Sequence, residues 1–455
     1  MNKSLPLILL IAGCSFIPPH ERPAAPVPQA WPLPSAVSPA PGFNGDWRAF
    51  FTDPALQRLI GLALEHNRDL MIAIARVEEA RAQAGLARAD RFPTVDVGLQ
   101  EQAARVPGSL TSSGRPTHNR RFDANLSMTA FELDFWGRVK SLDEAARANF
   151  LASDYARQAF ELSLISDVAS AYYSLIELAT RSRLTAATLK NRAENRRLIE
   201  RRRDVGLATD LDFLAADGAY QAAAAELANL ERQQAAAANA LRLLVGSDIG
   251  AFLDGPALGF GALPEVPVGL PSEVLLRRPD VLAAEQKLIA ANANIGAARA
   301  AFFPKIVLTV LAGSASPALS GLFGGGSGAW SFVPVLKWPL FDAGRNAANE
   351  DIAAARQHIA VAEYEKTIQQ AFREVADLLA AREHYAQQLE ALVQAEAAQA
   401  ERLRRVEARQ RAGVSSYLEL LDAQRELFAA QQAVISVRRA LAATAAGLFK
   451  ATGGA

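Results

Sequence analysis

The chain repeats itself, and that duplication limits its possible folds more than any other feature. Asp69 through Pro93 aligns with Asp280 through Pro304 at a constant offset of 211, with Gly85 on Gly296 and Arg88 on Arg299. Further along the offset becomes 207. It brings Gly137-Arg138 onto Gly344-Arg345, Val168-Ala169 onto Val375-Ala376, Gly206 onto Gly413, and Gly246 onto Gly453. A register held over some 180 residues marks two copies of one structural unit, the second with a connection four residues shorter.

Each copy carries the same order of elements. In the first, Val95, Val97 and Leu99 alternate with Asp96, Gly98 and Gln100, and a polar loop follows near 106–120. Then Phe122, Ala124, Leu126, Met128 and Ala130 fall on one face, with Asp123, Asn125, Ser127 and Thr129 on the other. Period-two alternation of this kind predicts strands with one apolar and one wet face. In the second copy the strands are expected at about 304–313 and 330–341, alternating less cleanly. The Gly/Ser-rich stretch between them, Gly313 to Gly328, lacks a following Gly-Lys-Ser/Thr, so it reads as an exposed turn and not a phosphate cradle.

Helix dominates the rest. Residues 138–205 and 345–412 contain neither Gly nor Pro, and both runs are 68 residues rich in Ala, Leu, Glu, Arg and Gln. Each helix would be roughly 100 Å long at 1.5 Å per residue. Gly206 and Gly413 stop them, and a second helix returns from each, over 209–245 and 415 to about 449. Thr209 and Ser416 stand where N-caps are expected. The fold class is therefore mainly α with a small β part: two repeats, each of two strands and a long helical hairpin.

Strands of about 9–11 residues with alternating faces suit a transmembrane barrel, and a bilayer does not tolerate an open sheet edge. Four strands cannot close, so the barrel has to be shared between copies. Two copies give an eight-stranded barrel filled by its own side chains, whereas three give twelve strands and a lumen. The helices are charged throughout and over three times too long for the hydrocarbon layer, which places them in an aqueous compartment.

The N-terminus reads as an address. Lys3 and the short apolar stretch Leu5–Ile11 end in Ile11-Ala12-Gly13-Cys14, which resembles the lipobox of bacterial lipoproteins. In such proteins the cysteine becomes the acylated first residue, and Ser15 after it resembles outer-membrane sorting. Residues 1–13 are then the signal and 14–45 a tether, with nine of the chain's 23 prolines lying within 18–41. The repeats take 46–250 and 251–455.

Other motifs carry the resemblance further. They are Leu270-Pro271-Ser272-Glu273, Arg277-Arg278-Pro279-Asp280 with Ala283-Ala284-Glu285, Phe302-Phe303-Pro304, Pro339-Leu340-Phe341-Asp342-Ala343-Gly344-Arg345, and Tyr417-Leu418-Glu419-Leu420-Leu421-Asp422-Ala423. Together with the lipobox they resemble the lipoprotein branch of the TolC-like outer membrane factors that serve resistance–nodulation–division pumps. The resemblance implies a homotrimer in which a twelve-stranded barrel sits on an α-helical periplasmic barrel. It implies shorter stacked helices over about 53–92 and 271–303, the first broken at His66-Asn67-Arg68. Its implied partners are outer-membrane lipid, a periplasmic adaptor and an inner-membrane pump.

Carried over residue by residue, the resemblance puts Asp212, Glu419 and Asp422 at a periplasmic constriction. Glu419 and Asp422 are three apart on one helix, so threefold symmetry would stack two acidic rings that favour cations and titrate high from crowding. The arginine that latches the closed state in the family's namesake falls on Ser415. Val205-Gly206-Leu207 and Gly413-Val414 resemble the tips that meet the adaptor.

Catalysis and cofactors, apart from lipid on Cys14, are not expected: no nucleophile–base set or zinc spacing occurs, and the five histidines are scattered. Acidic and basic residues balance at 48 each, which gives no nucleic-acid surface. The function expected is a passive exit duct for drugs or other small solutes. Type I protein secretion or metal efflux are alternatives, although three methionines offer no relay for soft metals. A non-conducting, lipid-anchored periplasmic scaffold is the rival from another class.

Overall fold

The computed structural model describes residues 15–28, 31, 46–250, 260 and 272–454. The signal, Cys14 and most of the proline tether lie outside the described residues, as do Leu270 and Pro271. The described chain divides into two compact units, and each contains parts of both repeats.

One unit comprises the described N-terminal residues to Ala24, together with Arg76–Asp154 and Ala283–Glu365. It carries a four-stranded antiparallel sheet in the order β1-β2-β3-β4: β1 Asp96–Val106, β2 Thr117–Leu133, β3 Lys305–Ser316 and β4 Gly328–Lys337. Val97, Leu126, Ala312 and Trp330 lie opposite one another across all four strands, and Met128, Val310 and Phe332 extend that face. Asp96, Ser127, Leu311 and Ser331 form the next row, on the other face. The apolar row is exposed in the single chain, Val97 at 77% and Trp330 at 81%, so this face has no cover of its own.

Strands β1, β2 and β3 run further than alternation indicated, because backbone pairing persists through polar residues once a register is set, whereas β4 stops at Lys337, short of the expected 341. The first connection shrinks from 106–120 to 107–116, and β2 begins at Thr117 within the expected loop. In β2 an extra residue between Met128 and Phe131 makes a bulge. Ala130 adopts φ 55° there and donates its N–H to Thr309 Oγ1 at 3.2 Å. The insertion keeps Phe131 on the Met128 face.

The other unit comprises Ala25–Ala75, Tyr155–Leu282 and Lys366–Ala455 within the described residues. The helices of the chain are α1 Trp47–Phe50, α2 Pro54–His66, α3 Arg68–Ala89, α4 Arg138–Asp204, α5 Asp210–Val245, α6 Pro279–Ala300, α7 Arg345–Arg411 and α8 Tyr417–Ala451. The two long ones, α4 and α7, are both 67 residues, and their ranges differ by the 207 offset. The break at Asn67 falls where expected. The second repeat differs: a 3₁₀ turn, Ser272–Arg277, stands where the first has the last six residues of α2, 61–66.

The core of this unit gathers Phe50, Phe51, Leu56 and Ile60 from the N-terminal helices against Val168, Tyr172 and Ile176 of α4, Leu241 and Val245 of α5, and Phe449 of α8. Phe449 holds Phe50 and Phe51 at ring separations of 5.1 and 5.6 Å. Here each repeat is closed by a matching contact of its own. Asn67 donates from Nδ2 to the Leu244 carbonyl at 2.8 Å, and Arg278, its counterpart, donates from Nη1 to the Ala451 carbonyl at 2.7 Å. Both close the C-terminal end of a returning helix, where carbonyls lack intrahelical partners. Arg278 is buried and also binds Asp280 and Glu374.

Candidate functional site at the helical-hairpin tips

Both long helices stop by the same device. Gly206 and Gly413 adopt φ 78° and 77°, a left-handed conformation that glycine enters without steric penalty. The N–H of Gly206 bonds to Arg203 O and that of Leu207 to Arg202 O; the N–H of Gly413 bonds to Gln410 O and that of Val414 to Arg409 O. This is the Schellman pattern, which satisfies the last carbonyls and reverses the chain. It leaves apolar side chains outward: Val205, Leu207 and Val414 are each more than 60% exposed. Arg201 and Arg202 stand exposed beside the first tip.

The acidic residues are not bare. Asp212 is the third residue of α5, and its carboxylate accepts from the Thr209 N–H at 3.0 Å and the Thr209 hydroxyl at 2.7 Å. Thr209 Oγ1 accepts in turn from the Asp212 N–H at 3.1 Å, which completes a capping box. Glu419 is the counterpart of Asp212 at the 207 offset and holds the same place in α8. Its N–H donates to Ser416 Oγ at 3.2 Å, and its carboxylate accepts from the Ser415 hydroxyl and from Arg409 Nη1 at 3.4 Å. Asp422, one turn on, accepts from Arg402 Nη2 at 2.7 Å and Arg425 Nη2 at 2.6 Å.

High titration from crowding is not what a single chain shows. Asp212 is held below the usual carboxylate range by the Thr209 backbone and hydroxyl bonds. Asp422 is also lowered, chiefly by the Arg402 hydrogen bond and then by the charges of Arg402 and Arg425. In the single chain the donors supplied within each hairpin outweigh the slight desolvation that raises each of these two carboxyls.

The hairpins approach one another below the tips. Arg192 of α4 donates to the Ala219 carbonyl at 2.8 Å and lies 5.9 Å from the Phe428 ring of α8. Burial, and behind it the charge of Asp212, push the Tyr417 phenol up. An open cavity of about 690 Å³ lies alongside, lined by Arg192, Ala223, Leu421, Asp422, Arg425 and Phe428. Sequence reasoning missed Arg402, Arg409 and Arg425 as partners of the acids. It also passed over a visible signal, the Thr209-x-x-Asp212 and Ser416-x-x-Glu419 spacing of a capping box. Among the described residues no acidic, histidine or cysteine group could hold a metal, and no helix is long and apolar enough to cross a membrane.

Two stretches, 59–247 and 270–454, match the model of one family, described as outer membrane efflux protein. The chain belongs to that family. The two matched stretches fall one within each of the two repeats read from the sequence. The chain is 43% identical over its whole length to the probable efflux pump outer membrane protein TtgC of Pseudomonas putida, covering 96% of that protein. It is 42% identical to the outer membrane protein OprJ of Pseudomonas aeruginosa, over 99% of this chain and 95% of the relative. Among solved structures it resembles the open state of the MtrE outer membrane channel of Neisseria gonorrhoeae, with a TM-score of 0.88 and 36% identity over 97% of this chain and 98% of that one. This is an efflux protein of the outer membrane, mainly helical, with a small β part built from two internal repeats.

Proposed function

We propose that the protein is the exit duct of a tripartite efflux system, a homotrimer that carries small solutes passively across periplasm and outer membrane. The observation that carries this reading is the unfinished sheet. Strands β1 and β4 are edges, strand direction alternates throughout, and one face is apolar and uncovered. Laying β4 of one copy against β1 of the next continues the antiparallel order, and three copies close twelve strands around a lumen.

The helices support the same arrangement. Within the chain, Ala145 and Ala148 of α4 pack on Ala290 and Ala293 of α6. The repeat-related seam would join α7 to α3, and there Ile352 of α7 and Leu86 of α3 remain 49% and 69% exposed. A neighbouring copy supplies the missing partner for each.

The relatives' names speak of antibiotic, solvent and toluene efflux. By that likeness the cargo here is small and at least partly apolar, and an adaptor and an inner-membrane pump complete the system. The exposed Val205-Gly206-Leu207 and Gly413-Val414 turns suit the adaptor. Cys14 is the lipidation site in this reading. Asp212, Glu419 and Asp422 line the constriction, with Arg402, Arg409 and Arg425 compensating the charge of the last two, so cation preference is modest. Native mass measurement in detergent tests the assembly: a mass of three chains supports the duct, and a stable monomer overturns it in favour of the scaffold.

A further inference from the structure

Residues 16–22 lie against α6 and the turn that follows it by contacts of three different kinds. The Phe16 ring stacks on Phe303 at 4.8 Å, and Phe303 stacks on Trp136 at the same separation. Trp136 donates to the Pro304 carbonyl at 2.8 Å, which fixes this aromatic platform where β2 ends and β3 begins. Ile17 packs on the Ala145, Ala148, Ala290 and Ala293 cluster. It occupies the space of a side chain at Gly296: a Cβ there would lie 2.6 Å from Ile17 Cγ1 and 2.9 Å from its backbone N. Arg22 grips Glu285 with two parallel bonds, Nε to Oε1 at 2.7 Å and Nη2 to Oε2 at 2.6 Å, and His20 stands 3.5 Å from the same carboxylate. The Glu285 side chain is only 10% exposed.

The first repeat provides an internal comparison. Gly85, the counterpart of Gly296, has nothing within 4 Å of a Cβ. The counterpart of Glu285 is Ile74, which is 45% exposed. Two helices of common origin thus differ at the positions that receive the N-terminal segment. Only α6 has the notch and the carboxylate.

We propose that Phe16–Arg22 is a clasp docked on α6, and that its work is to fix the N-terminal attachment point at the foot of the sheet, at one of two otherwise equivalent places. Only Ser15 separates Phe16 from Cys14, so a docked Phe16 keeps the cysteine Cα within about 7 Å of its own Cα. Without docking, no contact on α6 would set the distance of the anchor from the foot of the sheet. The attachment role rests on the lipoprotein reading of Cys14; the docking itself does not.

Cleavage by Glu-C protease after Glu21 reports undocking, because a protease must draw several flanking residues into its cleft. Full-length protein in detergent-solubilised outer membrane is compared with Gly296→Leu, Glu285→Gln and Ile17→Ala variants, with Gly85→Leu as control. The clasp predicts cleavage about tenfold faster or more in the three variants, since cleavage follows the undocked population, and the parent rate in the control. Ile17→Ala lies on the segment itself, so folding of the body is not at stake in it. Equal rates in all four variants and the parent overturn the clasp. In a Cys14→Ser variant, loss of palmitate labelling with retained protection upholds both readings. Retained labelling overturns the lipoprotein reading alone. Lost protection shows that the lipid, and not α6, holds the segment, and overturns the clasp.

Discussion

Replacing Arg278 with Met should loosen the end of α8 while leaving the end of α5 untouched. Arg278 is 4% exposed and joins three groups: the Ala451 carbonyl, Asp280 and Glu374. The side chains of Asp280 and Glu374 are 38% and 42% exposed, so water replaces the lost guanidinium there and little of those ion pairs counts. The Ala451 carbonyl is different, because Met offers it no donor. A charged donor to a buried carbonyl contributes about 1.5–3 kcal/mol, and Met keeps most of the packing. The expected loss is about 2–3 kcal/mol, hence roughly 30- to 150-fold faster local hydrogen exchange if that turn opens on its own. The reporting amides are Thr452, Gly453 and Gly454, which bond to Leu448, Lys450 and Phe449. Gly246, whose N–H closes α5 on Arg242 O, should be unaffected. In Asn67→Ala the effect should move to Gly246, at about 1–2 kcal/mol for the neutral bond to Leu244 O and the lost cap, in which Asn67 Oδ1 accepts from the Leu70 N–H at 2.9 Å. Unchanged exchange at 452–454 in Arg278→Met, or equal loss at both helix ends, would refute the view that these twin contacts close each repeat separately.

Other consequences can be measured alongside. Phe449→Ala empties the centre of the Phe50–Phe51 cluster and should destabilise that unit by about 3–5 kcal/mol, seen as earlier thermal loss of helical circular dichroism. Asp422 is held charged by Arg402, so the ion preference of reconstituted channels should not change between pH 7 and 5 on its account; a midpoint in that range assigned to Asp422 would contradict the pairing. Glu285 is pushed up by burial but lowered further by the Arg22 bonds, and it faces only His20, Arg22 and Tyr364 among the groups that perturb it or are perturbed with it. Its folded value therefore lies below the unfolded one. The stability it lends the clasp is complete above the unfolded carboxyl value of about 4.3 and is lost as pH falls through the lowered folded value. Exchange protection of Ile17, corrected for intrinsic rate, should thus survive at pH 5 and fade on further acidification.

Much of this fold was legible because it depends on local rules applied over long stretches. Runs free of Gly and Pro became α4 and α7, and the glycines that ended them took positive φ because an L side chain is disfavoured there. The duplication carried over to matching turns and matching tie contacts. Strand ends were not legible: Thr117–Arg121 is polar on both faces and joins β2 through backbone pairing alone. The 3₁₀ turn at Ser272–Arg277 was missed because the repeat predicted a helix, and Pro279 limits the conformation of the residue before it. At the tips, sequence placed the acids on the right turns but not Arg409 and Arg402, partners of Glu419 and Asp422 that sit on the preceding long helix 10 and 20 residues away. Docking of Phe16–Arg22 joins residues 263 apart in sequence, and no periodicity reports such a contact.

Single-channel conductance in a planar bilayer tests the central claim most directly, comparing the parent protein with a Glu419→Ala, Asp422→Ala double variant. The duct reading predicts a small conductance with modest cation preference. In the variant, conductance should rise and the preference should fall or reverse, because Arg402 and Arg409 are left without their carboxylates and Arg425 keeps only Glu426. Properly folded trimers that pass no current in either form would contradict the account and leave a periplasmic scaffold in its place.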